Sequence, residues 1–397
     1  MTDRALLYAS AFVRALATGL IGVLLGVYLA TRGADATTIG LIVSAGLAGA
    51  ATASLIVTWL GERIGARSTL LMLALLTALG GVGLLFVAQP WIGAIVAFLG
   101  MVNGMGRDRG AALILEQALL PATATDATRT LVFAQYNVLQ DLGHAFGGLL
   151  AGLPALLVAS RIAAGPQAFN ATLLLYAALC LLPIAAYLLL TPALAAPKSE
   201  RVRLAPASRR ILWRISSLFA LDSLAGGFLT TALLSYFFHE RFGVGVAVIG
   251  PLFFAARLAN ALSHLAAAWL ARRIGLVNTM VLTHIPSSLL LISVAYAPSF
   301  PVAAGLFLLR ESLVEMDVPT RQSYVMAVVR PEERTLASGV THLVRMGAWA
   351  VAPAFAGLLM NSSSLMLPLV IGAAMKIGYD LLLWRAFRHV KPPEERA

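Results

Sequence analysis

Charged side chains lie inside stretches of this chain that are otherwise apolar enough to cross a membrane. A charge at the centre of a membrane helix costs roughly 2.5 to 3.5 kcal/mol on insertion scales unless it faces a polar interior. A water-filled solute pathway satisfies all of these charges at once, so they are the candidates for contacting a solute or a coupled ion. The residues concerned are Arg14, Arg107, Arg109, Asp141, Asp222, Arg257, Glu311, Glu315 and Arg345.

Two of these stretches also carry uncharged polar side chains on the same helical face as the charge. Gln140, Asp141 and His144 share one stripe, and Arg257 and Asn260 share another. Hydrogen bonding between helices is the structural alternative, and for Asn260 the two interpretations carry equal weight. A guanidinium in lipid needs several acceptors, which favours a cavity or an ion pair for the arginines.

Glu311 and Glu315 are the candidates for carrying a coupled proton. They share one face of a predicted helix, and two adjacent carboxylates in a partly dry site repel each other. This repulsion favours one of them keeping a proton at physiological pH. Asp222 is the third candidate for proton coupling. The alternative is that the two glutamates form ion pairs with Arg107 or Arg109.

Two other sets of charges are predicted to neutralise one another. Arg310, Asp317 and Arg321 project from one face of the same helix as the glutamates. Lys376 and Asp380 have the i,i+4 spacing of a mutual ion pair, so we interpret them as structural.

The composition excludes a soluble protein. Of 397 residues, 59% are hydrophobic and 12% are charged, and the mean hydropathy is +0.86. A helix needs about 20 apolar residues to span a bilayer. Such stretches lie at about 5–31, 37–60, 68–88, 91–118, 129–157, 168–192, 211–238, 246–271, 277–297, 301–327, 335–360 and 364–386. The sequence therefore predicts an all-α polytopic membrane protein with twelve transmembrane helices, the first retained rather than cleaved as a signal peptide.

Basic residues are concentrated at the termini and in every second loop. By the positive-inside rule both termini are cytoplasmic, and the chain is expected to be a multi-pass protein of the inner (plasma) membrane. Because the basic residues follow this topology, the net charge of +11 indicates contact with the lipid bilayer and not with nucleic acid.

A segment of the chain is repeated at an offset of 210 residues. Residues 59–65, with the sequence WLGERIG, return as WLARRIG at 269–275. The order of segments is kept in both copies, which indicates a parallel repeat of two six-helix halves. Aligning the halves places Arg14 opposite Asp222, so we expect these two side chains to form a pair that is made in one state and broken in another.

The repeated segment resembles the signature of the major facilitator superfamily (MFS), which follows the second helix with approximately G-x-x-x-D-R-x-G-R-R. Residues 58–67 are TWLGERIGAR, in which Arg63, Gly65 and Arg67 fit and Glu62 replaces the aspartate. The resemblance implies a gating role for these four residues, against the alternative of a positive-inside anchor.

The resemblance also implies the MFS fold, with twelve helices in two pseudo-symmetric halves. Spans one, four, seven and ten would then line a central cavity, and the halves would rock about a midplane site. The predicted division is an N-terminal half at 1–192, a basic cytoplasmic linker at 193–210, a C-terminal half at 211–390 and a cytoplasmic tail at 391–397.

These features predict a secondary active transporter and not an enzyme. The sequence contains no nucleotide-binding glycine loop, nucleophile elbow or zinc-type histidine spacing, so neither a cofactor nor a metal site is expected. The favoured activity is proton-coupled export of a small amphipathic or anionic compound by a monomer. The arginines favour a carboxylate or phosphate, although the intramembrane charges nearly cancel.

Three alternatives to this activity remain open. The chain could be a multidrug/proton antiporter or a nutrient (organic anion) importer. From a different class, it could be a non-transporting membrane receptor or scaffold, although it has no soluble domain for signalling.

Overall fold

The computed structural model describes residues 2–87, 89–124, 129–191, 206–316 and 334–387. Within these ranges there are fifteen α-helices, two short 3-10 helices and no strand. The α-helices are α1 (Asp3–Thr31), α2 (Ala36–Ile64), α3 (Ala66–Gly83), α4 (Pro90–Leu99), α5 (Ala111–Leu119), α6 (Arg129–Leu150), α7 (Leu153–Ala159), α8 (Gly165–Leu189), α9 (Pro206–Gly227), α10 (Thr231–Phe242), α11 (Val246–Ile274), α12 (Leu276–Ala295), α13 (Phe300–Val314), α14 (Arg334–Ser362) and α15 (Leu367–Phe387). The 3-10 helices are Leu84–Phe86 and Leu120–Thr123.

Ten helical segments of the described chain are long and apolar enough to cross a membrane. Large apolar side chains such as Leu79, Leu189 and Leu262 are exposed on the surfaces of these helices. Such exposure is favourable in a bilayer and unfavourable in water. The predicted all-α polytopic class is confirmed. Of the twelve predicted spans, the tenth is described only over α13, and the fourth differs from the prediction.

The prediction of one continuous helix over 91–118 is wrong. α4 and α5 are separated by residues 100–110, which form no regular helix and are called here the unwound segment. Glycine disfavours a helix interior by about 1 kcal/mol relative to alanine. Moreover, the φ angle of Gly106 is 71°, in the left-handed region that other residues avoid. The glycines of the segment are Gly100, Gly104, Gly106 and Gly110.

The seventh span is also interrupted. α9 ends at Gly227 and α10 begins at Thr231. Thr230 is the N-cap of α10, because its side chain accepts a hydrogen bond from the Leu233 amide at 3.4 Å. Gly243, with a φ of 66°, ends α10 in the left-handed conformation typical of helix C-termini.

The two copies of the sequence repeat have the same backbone. α2 and α11 have 29 residues each, and both end directly before a glycine. The φ angles of these glycines, Gly65 and Gly275, are 88° and 85°, and each glycine starts the next helix as its N-cap. Both copies therefore have a tight turn at this glycine.

Contacts between helices divide the chain into two compact units. Unit 1 comprises Met1–Ser199, Thr230–Phe254 and Pro353–Asn361, and unit 2 comprises Glu200–Leu229, Ala255–Ala352 and Ser362–Ala397. In unit 1, α1 packs on α6, α8 and α10. In unit 2, α12 packs on α13 and α15, and α9 packs on α15. Most of the predicted linker at 193–210 lies outside the described residues, so the division into six-helix halves stays a prediction.

Candidate functional site

The unwound segment is shaped by its own polar side chains. The Asn103 side chain donates to the Arg107 carbonyl oxygen at 2.7 Å and accepts from the Met105 amide at 2.9 Å. The Asp108 carboxylate accepts from the Gly110 amide at 3.2 Å. In a membrane interior the backbone N–H and C=O groups need hydrogen-bond partners within the protein. These local bonds supply part of the hydrogen bonding that a helix would otherwise provide.

Two neighbouring helices hold the unwound segment in place within unit 1. The Ala232 amide of α10 donates to the Gly104 carbonyl oxygen at 2.9 Å, and the Thr231 hydroxyl donates to the Met105 carbonyl oxygen at 2.8 Å. From α6, Nε2 of the buried His144 accepts from the Asp108 amide at 2.8 Å. The interruptions of the fourth and seventh spans therefore meet and satisfy each other's backbone groups.

Arg14 of α1 lies at the centre of a buried ionic cluster, the Arg14 cluster, and all five of its N–H donors have an acceptor. Nε donates to the Asp108 carboxylate. The two terminal nitrogens donate to the two oxygens of Glu116, at 2.9 Å for Nη2 and Oε2, and also to the hydroxyls of Tyr187 and Tyr136 at 3.1 and 3.2 Å.

Glu116 is saturated in the same way. Its side chain is 0% exposed, and its two oxygens accept from Arg14 and from both tyrosine hydroxyls, with 2.6 Å between Tyr136 Oη and Oε2. A buried carboxylate is tolerated only when its counter-charge and hydrogen bonds are complete. The cluster therefore fixes α1, α5, α6 and α8 to one another and ties Asp108, on the unwound segment, to that frame.

The remaining predicted site residues of unit 1 surround this cluster. Arg107 and Arg109 are half-buried on the unwound segment, on either side of Asp108. On α6, Gln140 is buried and Asp141 is half-buried. Among the described residues no hydrogen-bond partner lies within reach of Nε2 of Gln140.

In unit 2, Asp222 of α9 is the acceptor for two cations from different helices. Lys376 Nζ of α15 lies 2.9 Å from Oδ1, and Arg345 Nη2 of α14 lies 3.7 Å from Oδ2. Arg345 also donates from Nε to the Ser223 hydroxyl at 2.9 Å, and its guanidinium carbon lies 4.6 Å from the centre of the Trp349 ring.

The predicted pair of Arg14 and Asp222 stays a prediction. Within unit 1 Arg14 is bonded to Asp108 and Glu116, and within unit 2 Asp222 is bonded to Lys376 and Arg345.

Lys376 and Asp380 were expected to pair with each other. Instead Lys376 binds Asp222, and Asp380 binds Nδ1 of His284 on α12 at 3.0 Å. In both cases a partner on a neighbouring helix is better placed than the expected one.

The two predicted proton-coupling glutamates have different surroundings. Glu311 forms an ion pair with its neighbour Arg310 and accepts from Asn260 Nδ2 at 2.9 Å. Asn260 is also 3.5 Å from Nη1 of Arg257 on the same helix. Glu315 lies just beyond the end of α13, half-buried. The proposed network of Arg310 with Asp317 and Arg321 involves residues outside the described part.

The predicted gating motif is described in part. Gly65 forms the turn, and Arg67 Nη2 donates to the Leu188 carbonyl oxygen at 2.6 Å, which anchors the start of α3 to α8. The side chains of Glu62 and Arg63 lie outside the described residues.

Sequence reasoning missed several members of these clusters. Asp108 and Glu116 lie in the fourth span and Tyr136 lies in the fifth, close in the chain to predicted site residues. Tyr187 lies in a span without charges, and His284 lies in another such span. A signal for the unwound segment was present in its four glycines, since glycine-interrupted apolar segments mark binding elements in transporters. The tyrosine and histidine partners carry no comparable signal.

A bundle of apolar helices with an interrupted span and buried ionic clusters at membrane depth is the architecture of a multi-pass membrane transporter. The Major Facilitator Superfamily profile matches residues 7–353, so the chain belongs to this superfamily.

Similar proteins support the same fold. The chain is 27% identical over 416 residues to the uncharacterized membrane protein YJR124C of Saccharomyces cerevisiae, covering 96% of this chain and 93% of the yeast protein. It superposes on the nucleoside transporter NupG with a TM-score of 0.74 at 16% identity, covering 98% of this chain and 100% of NupG. It superposes on the xylose transporter XylE from E. coli with a TM-score of 0.73 at 13% identity, covering 99% and 98%.

Proposed function

We propose that the chain is a proton-coupled secondary transporter of a small organic anion or an amphipathic compound with an anionic group. We place its solute site at the unwound segment beside Arg14. The proposal rests on the ion pair between the Arg14 guanidinium and the Asp108 carboxylate. Asp108 lies on irregular backbone at membrane depth. Irregular backbone at this depth is tolerated where it is buried in protein or lines a cavity.

The anionic character of the solute follows from the geometry of the Arg14 cluster. A guanidinium presents a planar fork of donors that matches carboxylate and phosphate groups. Glu116 is 0% exposed and held by two tyrosines, whereas the side chains of Arg14 and Asp108 are 16% and 7% exposed. Asp108 is thus the more replaceable partner, and it makes the contact that we propose for the solute anion.

A proton is the proposed coupling ion because the described helices of unit 2 bury several groups that can bind one. Asp222, His284, Glu311 and Asp380 are all buried. A buried titratable group whose counter-charge changes between states binds protons differently in those states, which is the requirement for coupling.

Competition between the solute and Asp108 for Arg14 is testable in liposomes that contain the purified protein. Counterflow of radiolabelled organic acids, phosphate esters, nucleosides and sugars identifies the solute. For an anionic solute, Asp108→Asn should lower the half-saturating concentration several-fold, because a neutral amide competes less well for the guanidinium. Glu240→Gln, at an exposed carboxylate on α10, is the control and should leave it unchanged.

Arg14→Lys should abolish counterflow of anionic solutes, since an ammonium cannot reproduce the fork. The exposed Arg32→Lys is its control. Counterflow of uncharged solutes only, or anion counterflow that survives Arg14→Lys, would contradict the proposed site.

The same liposomes report the coupling and its direction. An imposed pH gradient should drive net accumulation of the solute. Solute accumulation against the direction of proton flow indicates exchange of solute for protons, which is the export favoured from the sequence. Accumulation in the direction of proton flow indicates the importer alternative. If neither sign of the gradient changes the accumulation, the proton is not the coupling ion.

A further inference from the structure

We propose that the His284–Asp380 pair of unit 2 is the site that binds the coupled proton, and that Lys376 transmits its occupancy to Asp222. This inference rests on the proposed proton coupling. It places the proton on α12 and α15, away from the glutamates of the tenth span favoured by the sequence.

The pair is built as a proton site. The side chains of His284 and Asp380 are 2% and 0% exposed, and Nδ1 of the imidazole lies 3.0 Å from Oδ1 of the carboxylate. The second oxygen, Oδ2, is buried, and among the described residues it has no hydrogen-bond partner. A buried oxygen with an unused acceptor position is where an added proton is best accommodated, either directly or after shift of the imidazole proton.

The charges around the pair leave it sensitive to one proton. Among the described residues, the ion pairs nearest to this pair are those of Asp222 on α9 with Lys376 of α15 and Arg345 of α14, and that of Arg310 with Glu311 on α13. In the set formed by Asp380, Asp222, Lys376 and Arg345, two carboxylates balance two cations when His284 is neutral. The ring of Tyr379 stands edge-on to His284, with 6.2 Å between ring centres. Binding of one proton therefore leaves one positive charge in a buried site, which is costly unless a neighbour rearranges.

Lys376 is the neighbour positioned to respond. It lies one helical turn before Asp380 on α15, while its ammonium is bound to Asp222 at 2.9 Å. A charged Asp380 attracts Lys376 across one helical turn without forming an ion pair with it. When a proton neutralises that carboxylate, this attraction is lost and the ammonium is drawn closer to Asp222. Asp222 on α9 is therefore the group of unit 2 that responds to the occupancy of the proton site.

Transport by variants separates a proton site from a packing role. Asp380→Asn and His284→Gln remove the titration with little change of shape. We expect both to retain solute counterflow at close to the wild-type rate while pH-driven accumulation falls to equal concentrations on the two sides. Ser288→Ala, one turn further along α12 at a buried hydroxyl, is the control and should retain both activities. Full pH-driven accumulation by Asp380→Asn would overturn the proposal.

Protonation itself is measurable without transport. Infrared difference spectra of the purified wild-type protein between alkaline and acidic pH should contain a buried carboxylic-acid band, and Asp380→Asn should lack it. Identical spectra for the two proteins would overturn the assignment even if the variant failed to transport. If wild-type protein exchanges solute but shows no pH-driven accumulation, the proposed coupling fails, and the infrared band still decides whether this pair binds a proton.

Discussion

At the scale of single residues, the Arg14 cluster depends on complete hydrogen bonding. Five donors of one guanidinium meet two carboxylates and two hydroxyls from four other segments. A buried ion pair contributes little net stability compared with apolar packing, but removing one partner leaves the other charge uncompensated. The cluster is therefore best tested by removing one member at a time.

Glu116→Ala should lower the free energy of unfolding by about 3 to 5 kcal/mol, the usual cost of stranding a buried charge. Its neighbour Gln117 is only half-buried, so Gln117→Ala is the matched control and should change it by less than about 1 kcal/mol. Denaturant unfolding in detergent, followed by tyrosine and tryptophan fluorescence, measures both. Equal stability of the two variants would show that the carboxylate does not stabilise the fold.

Tyr136→Phe and Tyr187→Phe should each cost about 1.5 to 3 kcal/mol, because each hydroxyl donates to a charged carboxylate and accepts from Arg14. The two losses should not add, since both act on the same carboxylate. A double-mutant cycle on unfolding free energies measures the coupling. Strict additivity would mean that the tyrosines stabilise separate parts of the structure.

The predicted site residues show which contacts could be inferred from the sequence and which could not. Arg14 and Asp222 were identifiable because a charge in an apolar stretch is conspicuous. Their partners were not, since Glu116 and Lys376 are 102 and 154 positions away in the chain and were assigned other neighbours by helical spacing. Spacing reports contacts within a helix, whereas these contacts are made between helices.

At the scale of elements, the unwound segment combines a left-handed backbone conformation with close packing at one glycine. Gly106 has a φ of 71°, and a Cβ atom there would lie 2.6 Å from the Thr231 hydroxyl. Gly106→Ala should therefore destabilise the protein by about 1 to 2 kcal/mol from the left-handed conformation alone, with the contact adding to it. Gly110→Ala is the control, because Gly110 has a φ of −83° and its Cβ would have only one neighbour, at 3.8 Å. Thermal unfolding in detergent compares them, and an equal shift would contradict the role of Gly106.

The turn before α3 allows a second test at this scale. Gly65→Ala places a side chain at a φ of 88° and should cost about 1 to 2 kcal/mol even though the space around it is open. Gly347→Ala, in the middle of α14 with equally open surroundings, should be neutral or stabilising because alanine favours helix. Unfolding midpoints of the two variants measure the difference. A stable Gly65→Ala protein would show that the turn tolerates another conformation.

The limits of an element were predicted correctly where they depend only on residues of that element. The turn at Gly65 and its repeat at Gly275 follow from glycine chemistry and are visible in the sequence. The break in the fourth span depends on α10, whose Thr231 and Ala232 supply donors to the exposed carbonyl groups. Hydropathy reports only how apolar a segment is and carries no information about such a partner, so it predicted a continuous helix.

At the scale of the whole molecule, unit 1 joins segments from both ends of the chain. The start of α2 packs on the last turns of α14: the Asn361 amide nitrogen donates to Asp35 at 2.9 Å, and the Ala354 amide donates to the Ser44 hydroxyl at 2.8 Å. Gly40 is at the centre of this contact, and a Cβ atom on it would lie 2.3 Å from the Pro353 carbonyl oxygen. The proposed transport, if it proceeds by alternating access, requires a close contact of this kind to separate in another state.

Gly40→Val should therefore disfavour the state in which α2 and α14 are in contact, because its side chain has no space there. A cysteine at Ser44 reports the change when Cys180, the native cysteine, is replaced by serine. Ser44 is buried in this contact, so we expect slow labelling by a small maleimide in the parent protein and labelling several-fold faster with Gly40→Val. Gly357→Val should have the same effect from the opposite helix, since its Cβ would lie 2.2 Å from the Ala36 carbonyl oxygen. Gly347→Val, on α14 with open space around it, should leave the labelling rate unchanged. Unaltered labelling in both clashing variants, with unfolding midpoints near that of the parent, would mean that this contact persists throughout the transport cycle.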